Sequence, residues 1–148
     1  MFIINIKKPQ TFILANGMKV LVVENHKLPR VTFNLTLDNA LFAEGNKKGV
    51  DELTSNLIGN GSKKTSKTVF HEEIDFLGAD INFSSHGATA NSLSKYSGRI
   101  LELLAEGALH PNFTQKELDK EKAKLIEGMK AEKKSVPAIA SRVVDVLA

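Results

Sequence analysis

Residues 49–62, GVDELTSNLIGNGS, decide how this chain is read. Val50, Leu53 and Leu57 recur at helical spacing and make one apolar stripe. Glu52, Ser55 and Asn56 fall on the opposite face, where residues three and four apart are neighbours. Gly59, Asn60 and Gly61 then stop the helix, because Gly and Asn tolerate the left-handed C-terminal conformation. The predicted helix spans about 48–58.

Working outward, residues 11–14 and 18–23 are apolar runs joined through Asn16-Gly17, a hairpin signal. Residues 31–37 alternate, with Val31, Phe33, Leu35 and Leu37 on one side, which predicts a half-buried strand. A second helix fits 67–77, with Phe70, Ile74 and Leu77 inward and Gly78 as its stop. Residues 79–85 and 88–94 alternate around His86-Gly87 and read as a second hairpin. A third helix fits 95–109, with Tyr96, Ile100, Leu103 and Leu104 inward, and Pro111 bars its continuation. Thr114-Gln115-Lys116-Glu117 is a capping box that opens a fourth helix running to about Lys134. Pro137 breaks the pattern, and 138–148 begins another helical segment.

Strands, helices, strands and helices joined by hairpins predict an α+β fold, an antiparallel or mixed sheet with helices packed on one face. The 148 residues, 42% hydrophobic, suit a single domain with a real core. No cap follows the last helical segment, so the expectation is an incomplete fragment of a larger domain. A net charge of +3 from 20 basic and 17 acidic residues gives no argument for nucleic acid. The lysines of 63–67 and 120–124 read as solvated faces. The absence of cysteine excludes disulfides and thiolate metal sites. No apolar run approaches the ~20 residues of a membrane span. No compartment follows from this beyond an expected soluble protein; the bacterial periplasm would follow if a signal peptide preceded residue 1.

The framing of the 49–62 helix resembles the zinc helix of the insulinase/pitrilysin peptidases, the inverzincins. There a Gly and small apolar residues precede H-x-x-E-H, and Gly-Thr or Gly-Ser follows. The resemblance extends to 14–20 (LANGMKV), the family's opening hairpin, and to 44–50 (EGNKKGV), its approach to the site helix. It continues through 73–78 (EIDFLG), 103–113 (LLAEGALHPNF) and 117–130 (ELDKEKAKLIEGMK), covering roughly residues 10–132 in order. It implies the N-terminal part of an insulinase-family (LuxS/MPP-like) metallohydrolase domain.

Carried over residue by residue, the family's two histidines fall at Glu52 and Asn56, and its catalytic glutamate falls at Ser55. The third ligand, a glutamate, falls at Gly128. Placing it at Glu127 instead would turn the helix by about 100°, and Glu121 would lose its place as the supporting carboxylate seven residues earlier. On this register no ligand and no general base is present, so none of the four positions is catalytic. A catalytic zinc needs three protein ligands and an open position for water. The metal lowers the water pKa to ~7 and a carboxylate takes its proton. Asn56 is a poor zinc ligand, and Ser55 has no base of its own. The four histidines, His26, His71, His86 and His110, share no i, i+3 or i, i+4 spacing, and ordinary surface roles are expected for them.

The leading expectation is a non-catalytic half of an insulinase-family assembly, closing a chamber around extended peptides. Zinc is then expected in a second insulinase-like domain or subunit, and no cofactor in this chain. Two alternatives stand beside it. One is an active zinc peptidase whose H-x-x-E-H lies in a downstream domain or partner chain. The other is a purely structural subunit of a larger complex.

Overall fold

In the computed structural model, residues 8–40 and 43–133 are described. The helical segment expected over 138–148 lies outside them. β1 (Gln10–Ile13) and β2 (Lys19–Val22) form an antiparallel hairpin, with Gln10 opposite Val22 and Ile13 opposite Lys19. Its turn is closed by the Gly17 amide donating to the Leu14 carbonyl at 2.9 Å and by the Asn16 side chain accepting from the Met18 amide at 3.1 Å. A second sheet contains β3 (Arg30–Thr36), β4 (Asp80–Ser84) and β5 (Gly87–Leu93) in the order β3-β5-β4. Every pairing is antiparallel. β4 and β5 pair through the expected tight turn, and β3 returns to the other side of β5.

Four helices complete the described fold: α1 (Val50–Leu57), α2 (Lys67–Phe76), α3 (Ser97–Leu109) and α4 (Gln115–Glu132). The core lies between the three-stranded sheet and α2 and α3. Phe70, Ile74, Ile100, Leu103 and Leu104 come from the helices and meet Ala88 and Ala90 of β5. Phe33, Leu35, Ile81 and Phe83 point from the sheet into the same cluster. Small residues on β5 let the helices approach the sheet closely. Complete burial of Phe70, Ile100 and Leu103 contributes about 1.5–3 kcal/mol per side chain relative to exposure. At the surface, Arg99 of α3 forks onto Glu73 of α2, with Nε–Oε1 at 2.6 Å and Nη2–Oε2 at 2.8 Å. That contact holds the Glu73 carboxyl below its usual pKa.

The expected elements are present with shifted ends. A 3-10 turn, Ser94–Tyr96, precedes α3, so the helix begins two residues later than its apolar spacing suggests, and Tyr96 is half-buried. Leu37 lies past the end of β3 and is 44% exposed rather than inward. The capping box is half formed. The Thr114 hydroxyl accepts from the Glu117 amide at 3.3 Å, but the Glu117 side chain turns to Lys67 at 3.2 Å. A tertiary ion pair thus displaces the local reciprocal bond, and Lys67 leaves the solvated face that its sequence context suggests.

One aromatic ring sets the spacing between layers. A Cβ at Gly59 would sit 2.3 Å from Cδ2 of Phe83, and a Cβ at Gly107 would sit 2.4 Å from its Cζ. The ring of β4 is therefore enclosed by the turn after α1 and by α3. Gly59 also needs its φ of +84°, which a side chain would strain. The following loop is tied to α3. The buried Ser62 hydroxyl donates to Glu106 and accepts from the Lys64 and Thr65 amides at 3.0 and 2.9 Å. The Thr65 hydroxyl donates to the same Glu106 oxygen at 2.9 Å. The Ser62 and then the Thr65 hydrogen bonds lower the Glu106 pKa.

Gly107→Ala is expected to destabilise the fold by about 1–3 kcal/mol through overpacking against Phe83. Gly128→Ala, where nothing lies within 4 Å of the new methyl group, is expected to stabilise α4 by about 0.5–1 kcal/mol. Urea titration of both variants reads the contrast, and equal effects would argue against the Phe83 enclosure. Glu106→Ala removes the acceptor of a buried hydroxyl and is expected to cost about 1–3 kcal/mol. Because the folded pKa of Glu106 is depressed, its stabilisation is complete above its ordinary value of 4.5 and is lost as pH falls through the lower folded value. The difference between wild type and variant should therefore narrow below that pH in a series of thermal melts.

Candidate functional site

A groove of about 830 Å³ runs between α1 and α4. Glu52 and Asn56 enter it from α1, one helical turn apart. Glu121, Lys124 and Gly128 enter it from α4, with spacings of three and four that keep them on one face. Three of the four positions singled out in the sequence thus line one groove, together with the proposed supporting carboxylate. Gly128 contributes open space, since no atom lies within 4 Å of where its Cβ would be.

Ser55 does not line this groove. It is half-buried, and its hydroxyl accepts from the Ser85 amide at 3.0 Å and lies 3.3 Å from the Ser85 hydroxyl. The expectation that Glu52, Ser55 and Asn56 share one exposed face therefore needs correction at Ser55. Neighbouring helical residues point about 100° apart, so Ser55 turns toward the β4–β5 turn while Asn56 faces the groove. The apolar stripe is also shallower than expected: Leu57 is buried, but Val50 and Leu53 are half-buried.

Glu44 sets the N-terminus of α1. Its carboxylate accepts from the Gly49 amide at 3.0 Å and from the Asp51 amide at 2.9 Å. The Asp51 and then the Gly49 hydrogen bonds hold its pKa below the usual carboxylate value. An acid before a helix start was the available sequence signal, but the intervening loop hid its target. On α4, Lys124 Nζ lies 2.7 Å from Glu121 Oε1, and the Glu121 side chain is 11% exposed. No local pattern separates Lys124 from its solvated neighbours.

These donors do not fit a catalytic zinc. Glu52 offers one exposed carboxylate, Asn56 a neutral amide, and Gly128 nothing. Among the described residues no group of three His, Cys, Asp or Glu side chains comes together to hold a metal. The histidines lie apart: His26 is 3.4 Å from Glu24, His86 is 4.0 Å from Asp51, and His71 meets Phe70 edge-on. A smaller depression of about 410 Å³ near Pro29, Arg30 and Ser94 contains none of the candidate residues.

The family model for Insulinase (Peptidase family M16) matches residues 19–145. The chain belongs to the insulinase family. It is also similar to the crystal structure of a peptidase M16 inactive domain from Pseudomonas fluorescens, at 29% identity and a TM-score of 0.76. That match covers 90% of this chain and 34% of the other, so the chain spans about a third of that structure's length. No curated protein sequence matches it. The insulinase assignment agrees with the α+β fold and antiparallel sheets described above. Among the described residues no helix is long and apolar enough to cross a membrane.

Ser55→Ala is expected to cost about 1 kcal/mol and to speed hydrogen exchange at the Ser85 amide selectively. Unchanged exchange at that amide would mean that Ser55 does not tie α1 to the β4–β5 turn.

Proposed function

We propose that this chain is the non-catalytic half of an insulinase-family peptidase assembly, closing a chamber and holding extended peptide. The observation that carries the reading is the groove itself. On the register that the family resemblance implies, its zinc positions would fall where these two helices meet, yet Glu52, Ser55, Asn56 and Gly128 supply neither three ligands nor a general base. Such a groove can bind but has no means of activating water. The description of the Pseudomonas fluorescens relative as an inactive domain supports the same reading.

Peptide contact would use the sheet. Among the described residues β4 is at one end of the order β3-β5-β4 with no strand paired on its outer side, where a peptide would add as a further strand. Ser85, in the turn just past β4, is hydrogen-bonded to Ser55 of α1. An added strand would therefore run close to the site helix, where main-chain hydrogen bonds supply affinity and positioning. Zinc and the attacking water would belong to a second insulinase-like domain or subunit.

The test is purification of the tagged full-length protein from its native cells, with zinc measured by elemental mass spectrometry and hydrolysis followed on a fluorogenic unfolded peptide. The expected result is a zinc-bearing insulinase-type partner and peptidase activity that needs the pair. Chelator-sensitive hydrolysis by this chain alone would overturn the proposal. A stable complex without peptidase activity in any component would favour a structural subunit.

A further inference from the structure

We propose that Lys124 is the resident cation of the α1–α4 groove and that the groove is built to stand without a metal. Glu121 is 9% exposed and is the one charged side chain among the described residues that is buried. Taking a carboxylate out of water costs free energy unless an opposite charge or hydrogen bonds compensate. In a metal centre the ion itself supplies the largest local charge. Here an ammonium does so: Lys124 Nζ meets Glu121 Oε1 at 2.7 Å, from three residues further along the same helix face.

The surrounding donors agree with this assignment. Glu121 and Lys124 share the groove wall with Glu52, Asn56 and Gly128. At the three family positions a divalent ion would find one carboxylate at Glu52, a weak amide donor at Asn56 and no side chain at Gly128, and among the described residues the groove's other acids, Glu44, Asp51 and Glu132, do not join Glu52 in a group of three that could hold a metal. The ion would also have to settle beside an ammonium already bound to the best-placed oxygen. The side chain of Lys124 is 59% exposed, so its stem bridges solvent and the buried acid, as long basic side chains do. The consequence is that the packing of α4 against α1 is independent of zinc. The proposal rests on this contact and on the donor set, not on the chamber reading, so failure of the pairing experiment above leaves it intact.

The experiment is a set of thermal melts on the full chain, followed by circular dichroism, with and without EDTA and with added Zn²⁺. Lys124→Met keeps the stem and removes the charge, and is expected to lower Tm by several degrees. Adding Glu121→Gln to it is expected to restore most of that loss, and Lys124→Arg is expected to melt near wild type. EDTA and Zn²⁺ should leave the wild-type Tm unchanged. The proposal is overturned if Lys124→Met melts like wild type, or if the double variant recovers nothing, which would leave only packing of the stem. It is equally overturned if EDTA lowers the wild-type Tm.

Discussion

The enclosure of Phe83 is the constraint on which the rest of the arrangement depends. Its ring lies where a Cβ at Gly59 or Gly107 would stand, so β4, the end of α1 and α3 come closer than side chains would allow. That closeness sets where α1 sits. Once α1 is placed, Ser55 reaches Ser85, and the following turn reaches Glu106 through Ser62 and Thr65. Glu44 then holds the opposite end of the helix through two backbone amides. A short helix of this kind has little stability of its own. Tertiary contacts at both ends, rather than helix propensity, hold it beside α4.

Two of the acids on the wall of the resulting groove are already committed to partners. Glu44 is used by the α1 N-terminus, and Glu121 is used by Lys124. The remaining groups on its wall offer hydrogen bonds and charge but not the coordination that a water-activating metal requires.

Much of the fold was legible because its signals are local. The Asn16-Gly17 and His86-Gly87 turns, the alternation of Val31, Phe33 and Leu35, and the stripe of Phe70, Ile74 and Leu77 each depend on residues close in the chain. The site was legible in part. Glu52, Asn56 and Gly128 meet in one groove because their spacing on two helices puts each on a single face. Ser55 was misplaced because a one-face reading of α1 ignores the rotation between adjacent residues. Glu117 also left its expected local bond, because Lys67 approaches from α2, a residue 50 positions away in sequence.

By itself, the sequence determined the elements, their order, the hairpin turns, the α+β class and the family resemblance. The resemblance rests on motifs matched in order along the chain; the other properties follow from backbone preference and hydrophobic period, which act over a few residues. The tertiary structure alone decided that Phe83 is enclosed by two glycines, that Ser55 serves the β4–β5 turn, and that Glu44 caps the site helix. It also decided that Lys124 faces a buried acid while neighbouring lysines face water. Each of these depends on groups distant in sequence meeting within a few ångströms, or on which face of a helix its packing buries. No local pattern encodes that geometry.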